Sequence, residues 1–306
     1  MKVTLRRIVG YLFIVGALVM LAIAVARQWD YFRSAIAALG FVDIAVAFAF
    51  GGAAVASGAL AWRSTIASTA YKMPLPPVVH AFLISQLGKY VPGSVWAVVS
   101  QVELMKRYGV SRAAGALGST LSMVISLGVA VVVGAVGVFA SGGDFATHWW
   151  LIPVAAVCFV VVCPPVVRWL MRLVSRSHGR LASFASITVR GADLAWAAAW
   201  TALGWVFWGL QLFVLMRGMG YERHSLIWFA IGAYALAWSV GRVVVVAPGG
   251  IGPREAAMVA ILATVVTSSD ALALAVTTRV LMSLLDVSGA AVAMATRRWF
   301  VREVAQ

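Results

Sequence analysis

The sequence predicts an all-α polytopic membrane protein, and three observations carry that reading. Of 306 residues, 63% are hydrophobic and only 11% charged, with a mean hydropathy of +0.97, a balance that water-soluble domains do not have. Apolar runs recur that are long enough to cross a bilayer, which takes about 20 residues at 1.5 Å each. Two of the apolar stretches are broken by proline and glycine, at Lys89-Tyr90-Val91-Pro92-Gly93-Ser94 and at Val246-Ala247-Pro248-Gly249-Gly250-Ile251-Gly252-Pro253-Arg254-Glu255. No polar stretch reaches the roughly 50 residues of an independent soluble fold, so residues 1–306 are expected to form a single integral membrane domain.

Taken in order, residues 8–26 are the first expected span, behind Lys2, Arg6 and Arg7. The run is long for the core of a signal peptide, and no small-residue cleavage site with a soluble domain follows it, so it is expected to be retained. Residues 41–62 form a second span. Residues 76–101 are irregular, interrupted by Gly88, Pro92 and Gly93, and are expected to be a re-entrant or broken helical pair. Regular spans are expected at 113–140, 149–171, 194–216 and 225–246. Residues 254–267 make a helix of about 14 residues, roughly 21 Å, which is short for an upright crossing. The last span is 271–296. Counting the short helix as a crossing gives eight spans; if it dips and returns, the count is seven. The two breaks suggest an internal repeat, with one broken-helix unit at about 76–140 and another at about 225–296, and paired breaks of this kind mark ligand sites at membrane depth.

Charge placement sets the expected orientation. Seventeen of the 24 Lys and Arg residues fall on one side if the N-terminus is cytoplasmic, and such loops are retained on the cytoplasmic side. Both termini are then expected in the cytoplasm of a bacterial-type inner (plasma) membrane, which requires an even number of crossings. The formal charge of +14 is accounted for by these loops facing anionic lipid, so no nucleic-acid partner is expected. The densest basic segment, Arg168, Arg172, Arg176, Arg180 and Arg190, is a topogenic loop or a docking site for a soluble partner. Cys158 and Cys163 have no histidine or acid beside them and read as packing residues. The ten acids are scattered, without the clusters that metal-dependent chemistry on polyprenyl phosphates uses. No cofactor, metal or catalytic constellation is expected, and the chain does not read as an enzyme.

The informative polar residues are those that cannot avoid the hydrocarbon. Arg279 lies inside the last span, where a charge costs about 2.5 to 3.5 kcal/mol on insertion scales, so it needs a partner. Asp286 is seven positions away on the same helical face, about 10 Å, too far for contact. Glu255, near the start of the short helix, is the preferred partner. At Gly252-Pro253-Arg254-Glu255 the proline suits a first helical turn and the glutamate its positive end, so Glu255 also reads as a helix cap. Free N–H groups, a glycine and an adjacent arginine equally suit an anionic headgroup. In the first half, Gln86, Lys89 and Tyr90 share a helical face. Lys89 precedes its break much as Arg242 precedes the second, and two cations beside two broken helices would suit one phosphate or pyrophosphate. Snorkelling of Lys89 to the interface is the alternative.

The segments 89–109 and 248–255, followed by an apolar helix and Arg279, resemble the transmembrane region of lysylphosphatidylglycerol synthases. This is the flippase half of the multiple peptide resistance factor, which also occurs as free-standing membrane proteins associated with glycosyltransferases or polyprenyl-linked sugars. The element Pro-Gly-Gly-x-Gly-x-Arg-Glu carries most of the resemblance; the chain departs at Gly118-Ser119-Thr120, where related chains carry a Glu-Arg pair. The resemblance implies a translocase for an anionic phospholipid or polyprenyl-linked sugar headgroup, with Arg254, Glu255, Arg279 and Lys89 contacting or organising it. Pro92, Gly93, Pro248, Gly249, Gly250 and Gly252 would supply the structural breaks. The alternative is a non-catalytic accessory subunit of a membrane glycosyltransferase.

Overall fold

A computed structural model describes residues 33, 39–90, 96–143, 145–163, 165–169, 187, 189–243 and 252–296. Expectations for the first span and for Pro92, Gly93, Pro248, Gly249 and Gly250 therefore lie outside the described residues. Among the described residues there are ten α-helices and no strand. They are α1 Phe41–Ser68, α2 Leu75–Gln86, α3 Trp96–Lys106, α4 Arg112–Ala140, α5 Phe145–His148, α6 Leu151–Val162, α7 Gly191–Gly218, α8 Leu226–Val243, α9 Pro253–Leu262 and α10 Ser268–Ala295, with a 3-10 turn Leu87–Tyr90 continuing α2.

Five of these helices, α1, α4, α7, α8 and α10, are long and apolar enough to cross a membrane. The expected span at 149–171 is instead the 12-residue helix α6, ending at a bend on Cys163. The sequence there runs into Pro164 and Pro165, which cannot continue a hydrogen-bonded helix. The short helix is shorter still than expected: α9 has 10 residues, about 15 Å, half of a hydrocarbon core about 30 Å thick. The described helices thus supply five candidate spans toward the expected eight.

Local chemistry explains the ends. Ser111 caps α4, its hydroxyl accepting from Ala114 N at 3.2 Å, and Thr267 caps α10 in the same way through Asp270 N at 3.2 Å. Asp43 accepts from Gly40 N at 3.2 Å at the head of α1. These bonds satisfy N–H groups that the first helical turn leaves without partners.

Two ends of the bundle can be told apart by what meets there. At one, the close of α1, the start of α2, the end of α3 and the start of α4 share a core of Trp62, Ile66, Val78, Ala81, Met105, Val110 and Ala114. The start of α7 joins them, with Arg190 N donating to Ser68 O at 3.1 Å. At the other, Leu39, Leu215, Met216, Leu226, Val266 and Ala271 pack together. Tyr221, ahead of α8, donates to Asp270 of α10 at 2.6 Å and accepts from Thr267 N at 3.2 Å. The hairpin α2–α3 therefore leaves from and returns to the first end, while α8–α9 leaves from and returns to the second. Each is followed by a long helix, α4 of 29 residues and α10 of 28. Moreover α2 packs on α10 and α8 on α4, so each hairpin's first arm lies against the other unit's long helix. Gly88 lets the first hairpin close: a Cβ there would stand 2.7 Å from Ala97 N on the returning arm.

Candidate functional site

The two hairpins place their charges in one buried cluster against α10. Lys89, in the 3-10 turn after α2, sets Nζ 2.7 Å from Asp286 Oδ2, on side chains 21% and 1% exposed. It also donates to Gln86 Oε1 at 3.4 Å. Lys89 thus does not snorkel to an interface, because Asp286 supplies a counter-charge inside the protein. The neighbouring Tyr90 Oη donates to the same Asp286 oxygen at 2.6 Å and lies 3.0 Å from Ser283 Oγ.

From the second hairpin, Glu255 of α9 receives Arg279 of α10, Nη1 to Oε1 at 3.3 Å, with both side chains about a tenth exposed or less. The other oxygen, Oε2, accepts from Gly252 N at 2.7 Å. Both sequence readings of Glu255, ion-pair partner and helix cap, are present in one side chain. Gly252 holds φ +95° and ψ −72°, a backbone that only glycine adopts cheaply, and this turns its N–H onto the carboxylate. Arg279 lies eleven residues into α10, about 16 Å from the helix start, so the head of α9 meets it near the middle of a bilayer-thick slab. Arg254 stacks over the Tyr234 ring at 5.0 Å and donates to Met282 Sδ at 3.2 Å, and Arg279 lies 5.9 Å from the centre of the Tyr90 ring. Arg254, Glu255, Arg279 and Asp286 are all buried.

Beside this cluster is a cavity of about 220 Å³. Its cationic lining is Lys89 and Arg242, the two residues that precede the two breaks. Arg242 stacks at 4.9 Å on Trp238, and its buried Nε has no hydrogen-bond partner among the described residues. No carboxylate among the described residues pairs with it, and the neighbouring segment 244–251 contains no acid. The polar and aromatic part of the wall includes Ser119, Ser122 and Ser126 of α4, Thr201, Trp205 and Trp208 of α7, Tyr234 and Trp238 of α8, Asp286 of α10, and the amides Gln86 and Gln101; the remainder is apolar, with Ala54, Val55, Phe82 and Met282 among it.

Of the four expected contact residues the structure brings all together, but only Lys89 lines the cavity; Arg254, Glu255 and Arg279 form the layer behind it. The residue that sequence reasoning missed is Asp286. Helical spacing sets it two turns from Arg279, about 10 Å, but nothing in a linear sequence places it against Lys89, 197 positions away. The signal that could have found it is that an acid inside an apolar span needs a cation, and Lys89 was a cation without an assigned partner.

Among curated proteins none matches the chain. The family model of the lysylphosphatidylglycerol synthase TM region matches residues 7–287, nearly the whole chain and all of the described cluster. The protein is thus a membrane protein belonging to the lysylphosphatidylglycerol synthase transmembrane region family.

Proposed function

We propose that the protein is a flippase-like membrane translocase for the headgroup of an anionic phospholipid or polyprenyl-linked sugar, the tails staying in lipid, and that it performs no catalysis. The observation that carries this reading is the cavity lined by Lys89 and Arg242, one cation from each of two hairpins that enter from opposite ends. An arginine with a buried Nε and no counter-ion among the described residues is costly to keep. It persists where an anion is to be met. Hairpins of opposite sense match the inverted repeats whose rocking exposes one central site to each side in turn. The first end carries exposed Arg63, Lys72, Lys106, Arg107, Arg112 and Arg190, against Arg217 and Arg223 near the second. By the positive-inside rule this bias supports a cytoplasmic first end, and with it the reading that both termini lie in the cytoplasm of a bacterial-type inner membrane.

The test is headgroup flux in proteoliposomes. Arg242→Gln is expected to lower flux of an anionic lipid at least about tenfold, the effect of about 1.4 kcal/mol on a barrier. Unchanged flux by a correctly folded variant refutes the reading. The six exposed cations at the first end favour a second reading, an accessory subunit that docks a membrane glycosyltransferase. Capture of such an enzyme by the purified chain, together with no flux of any lipid, would select it.

A further inference from the structure

We infer that the cavity takes a phosphate ester bearing a neutral polyhydroxyl group and rejects cationic headgroups; this rests on the translocase reading and narrows its substrate. Arg242 is the phosphate contact. Its charge has no acid to meet among the described residues, and a phosphate oxygen matches a guanidinium in charge and geometry. The chemistry of the remaining wall is different. Ser119, Ser122 and Ser126 recur at positions i, i+3 and i+7 of α4, so they share a face, and all three line the cavity. Ser119 already accepts from Trp62 Nε1 at 3.2 Å but keeps its own proton to donate. Among the described residues the hydroxyls of Ser122 and Ser126 have no hydrogen-bond partner. Hydroxyls that both donate and accept suit a polyol. Trp205, Trp208 and Trp238 add apolar aromatic wall for its C–H groups to meet.

The same wall is hostile to a positive headgroup. Among the described residues the one acid lining the cavity is Asp286, and one of its oxygens already receives both Lys89 Nζ and Tyr90 Oη. Glu255 stands behind the wall with each oxygen engaged. A lysyl, ethanolamine or choline group would therefore face Arg242 and Lys89 with no acid among the described lining residues but Asp286, whose charge Lys89 already neutralises, and like charges opposed in a desolvated site repel strongly. The volume of about 220 Å³ falls below the 300 to 1,000 Å³ of pockets that engulf whole drug-sized ligands. It holds a headgroup and leaves the tails outside.

The experiment measures binding apart from transport. The full chain in detergent is titrated, by its tryptophan fluorescence, with short-chain phosphatidylglycerol, a short-prenyl phosphate hexose, short-chain phosphatidylethanolamine and short-chain lysylphosphatidylglycerol. At least one of the first two is expected to bind about tenfold or more tighter than either amine-bearing probe. The tighter of the two identifies the source as glycerolipid or prenyl phosphate. Equal or tighter binding of an amine-bearing probe, or no discrimination, overturns the inference. Ser122→Ala with Ser126→Ala should weaken the polyol probes while leaving inorganic phosphate binding unchanged; Arg242→Gln should weaken all phosphate probes together. Equal loss of phosphate binding in the serine variant also counts against it. Selective binding without flux in proteoliposomes would defeat the translocase reading alone, and flux without headgroup preference would defeat this inference alone.

Discussion

Replacing Asp286 by leucine should be among the most damaging single changes in the cluster. The carboxylate is 2.7 Å from Lys89 Nζ and 2.6 Å from Tyr90 Oη. At an effective dielectric constant near 20 the gross attraction at that separation is about 6 kcal/mol. Desolvating the two ions costs several kcal/mol each, so the intact pair adds little net stability. Breaking it is a different matter, since Asp286→Leu would strand a cation whose side chain is 21% exposed and orphan the tyrosine hydroxyl. The expected loss is about 3 to 5 kcal/mol. Lys89→Met should cost a comparable amount, because the side chain of Asp286 is 1% exposed and would be left charged. The double variant removes both ions and should cost clearly less than the sum, with a coupling of about 2 kcal/mol or more. The assay is reversible unfolding in mixed micelles with increasing dodecyl sulfate, followed by far-UV circular dichroism. Additivity within about 0.5 kcal/mol, the behaviour of independent sites, would refute the argument. So would a coupling no larger than the roughly 0.6 kcal/mol typical of an ordinary interhelical hydrogen bond in a membrane.

Further outcomes are expected elsewhere. Arg279→Ala removes the cation on Glu255 while the bond from Gly252 N to Glu255 remains; headgroup flux in proteoliposomes should be abolished with helical content retained, and normal flux would contradict the role given to this layer. Gly252→Ala forces a side chain onto φ +95° and should destabilise by about 1 to 3 kcal/mol in the same micelle unfolding assay. By contrast Glu103→Gln breaks the Arg112–Glu103 pair at 2.9 Å, which is 64% and 34% exposed, and should cost no more than about 1 kcal/mol.

Much of the architecture was legible because hydrocarbon is a demanding solvent. Every backbone polar group in it must be satisfied, so length and apolarity alone mark α1, α4, α7, α8 and α10. The partner of Arg279 was legible for a local reason: α9 and α10 are joined by a short turn, which brings Glu255 within reach. The partner of Lys89 was not, since Asp286 belongs to the other hairpin's unit and meets it only through packing of α2 on α10. The run at 149–171 was misread as one span because apolarity continues past Cys163, where the helix bends ahead of two prolines.

What the sequence determined by itself is the class, the membrane setting and the list of charges that hydrocarbon would not tolerate alone. Each follows from transfer free energies of single residues, which do not depend on neighbours. Only the tertiary structure decided which of those charges cancel and which remains. Lys89 goes to Asp286 and Arg279 to Glu255, Arg254 rests on Tyr234 and Met282, and Arg242 faces a cavity whose wall includes serines and tryptophans. Pairing is a property of distance in three dimensions, and here it was set by two hairpins entering from opposite ends onto α10 and α4.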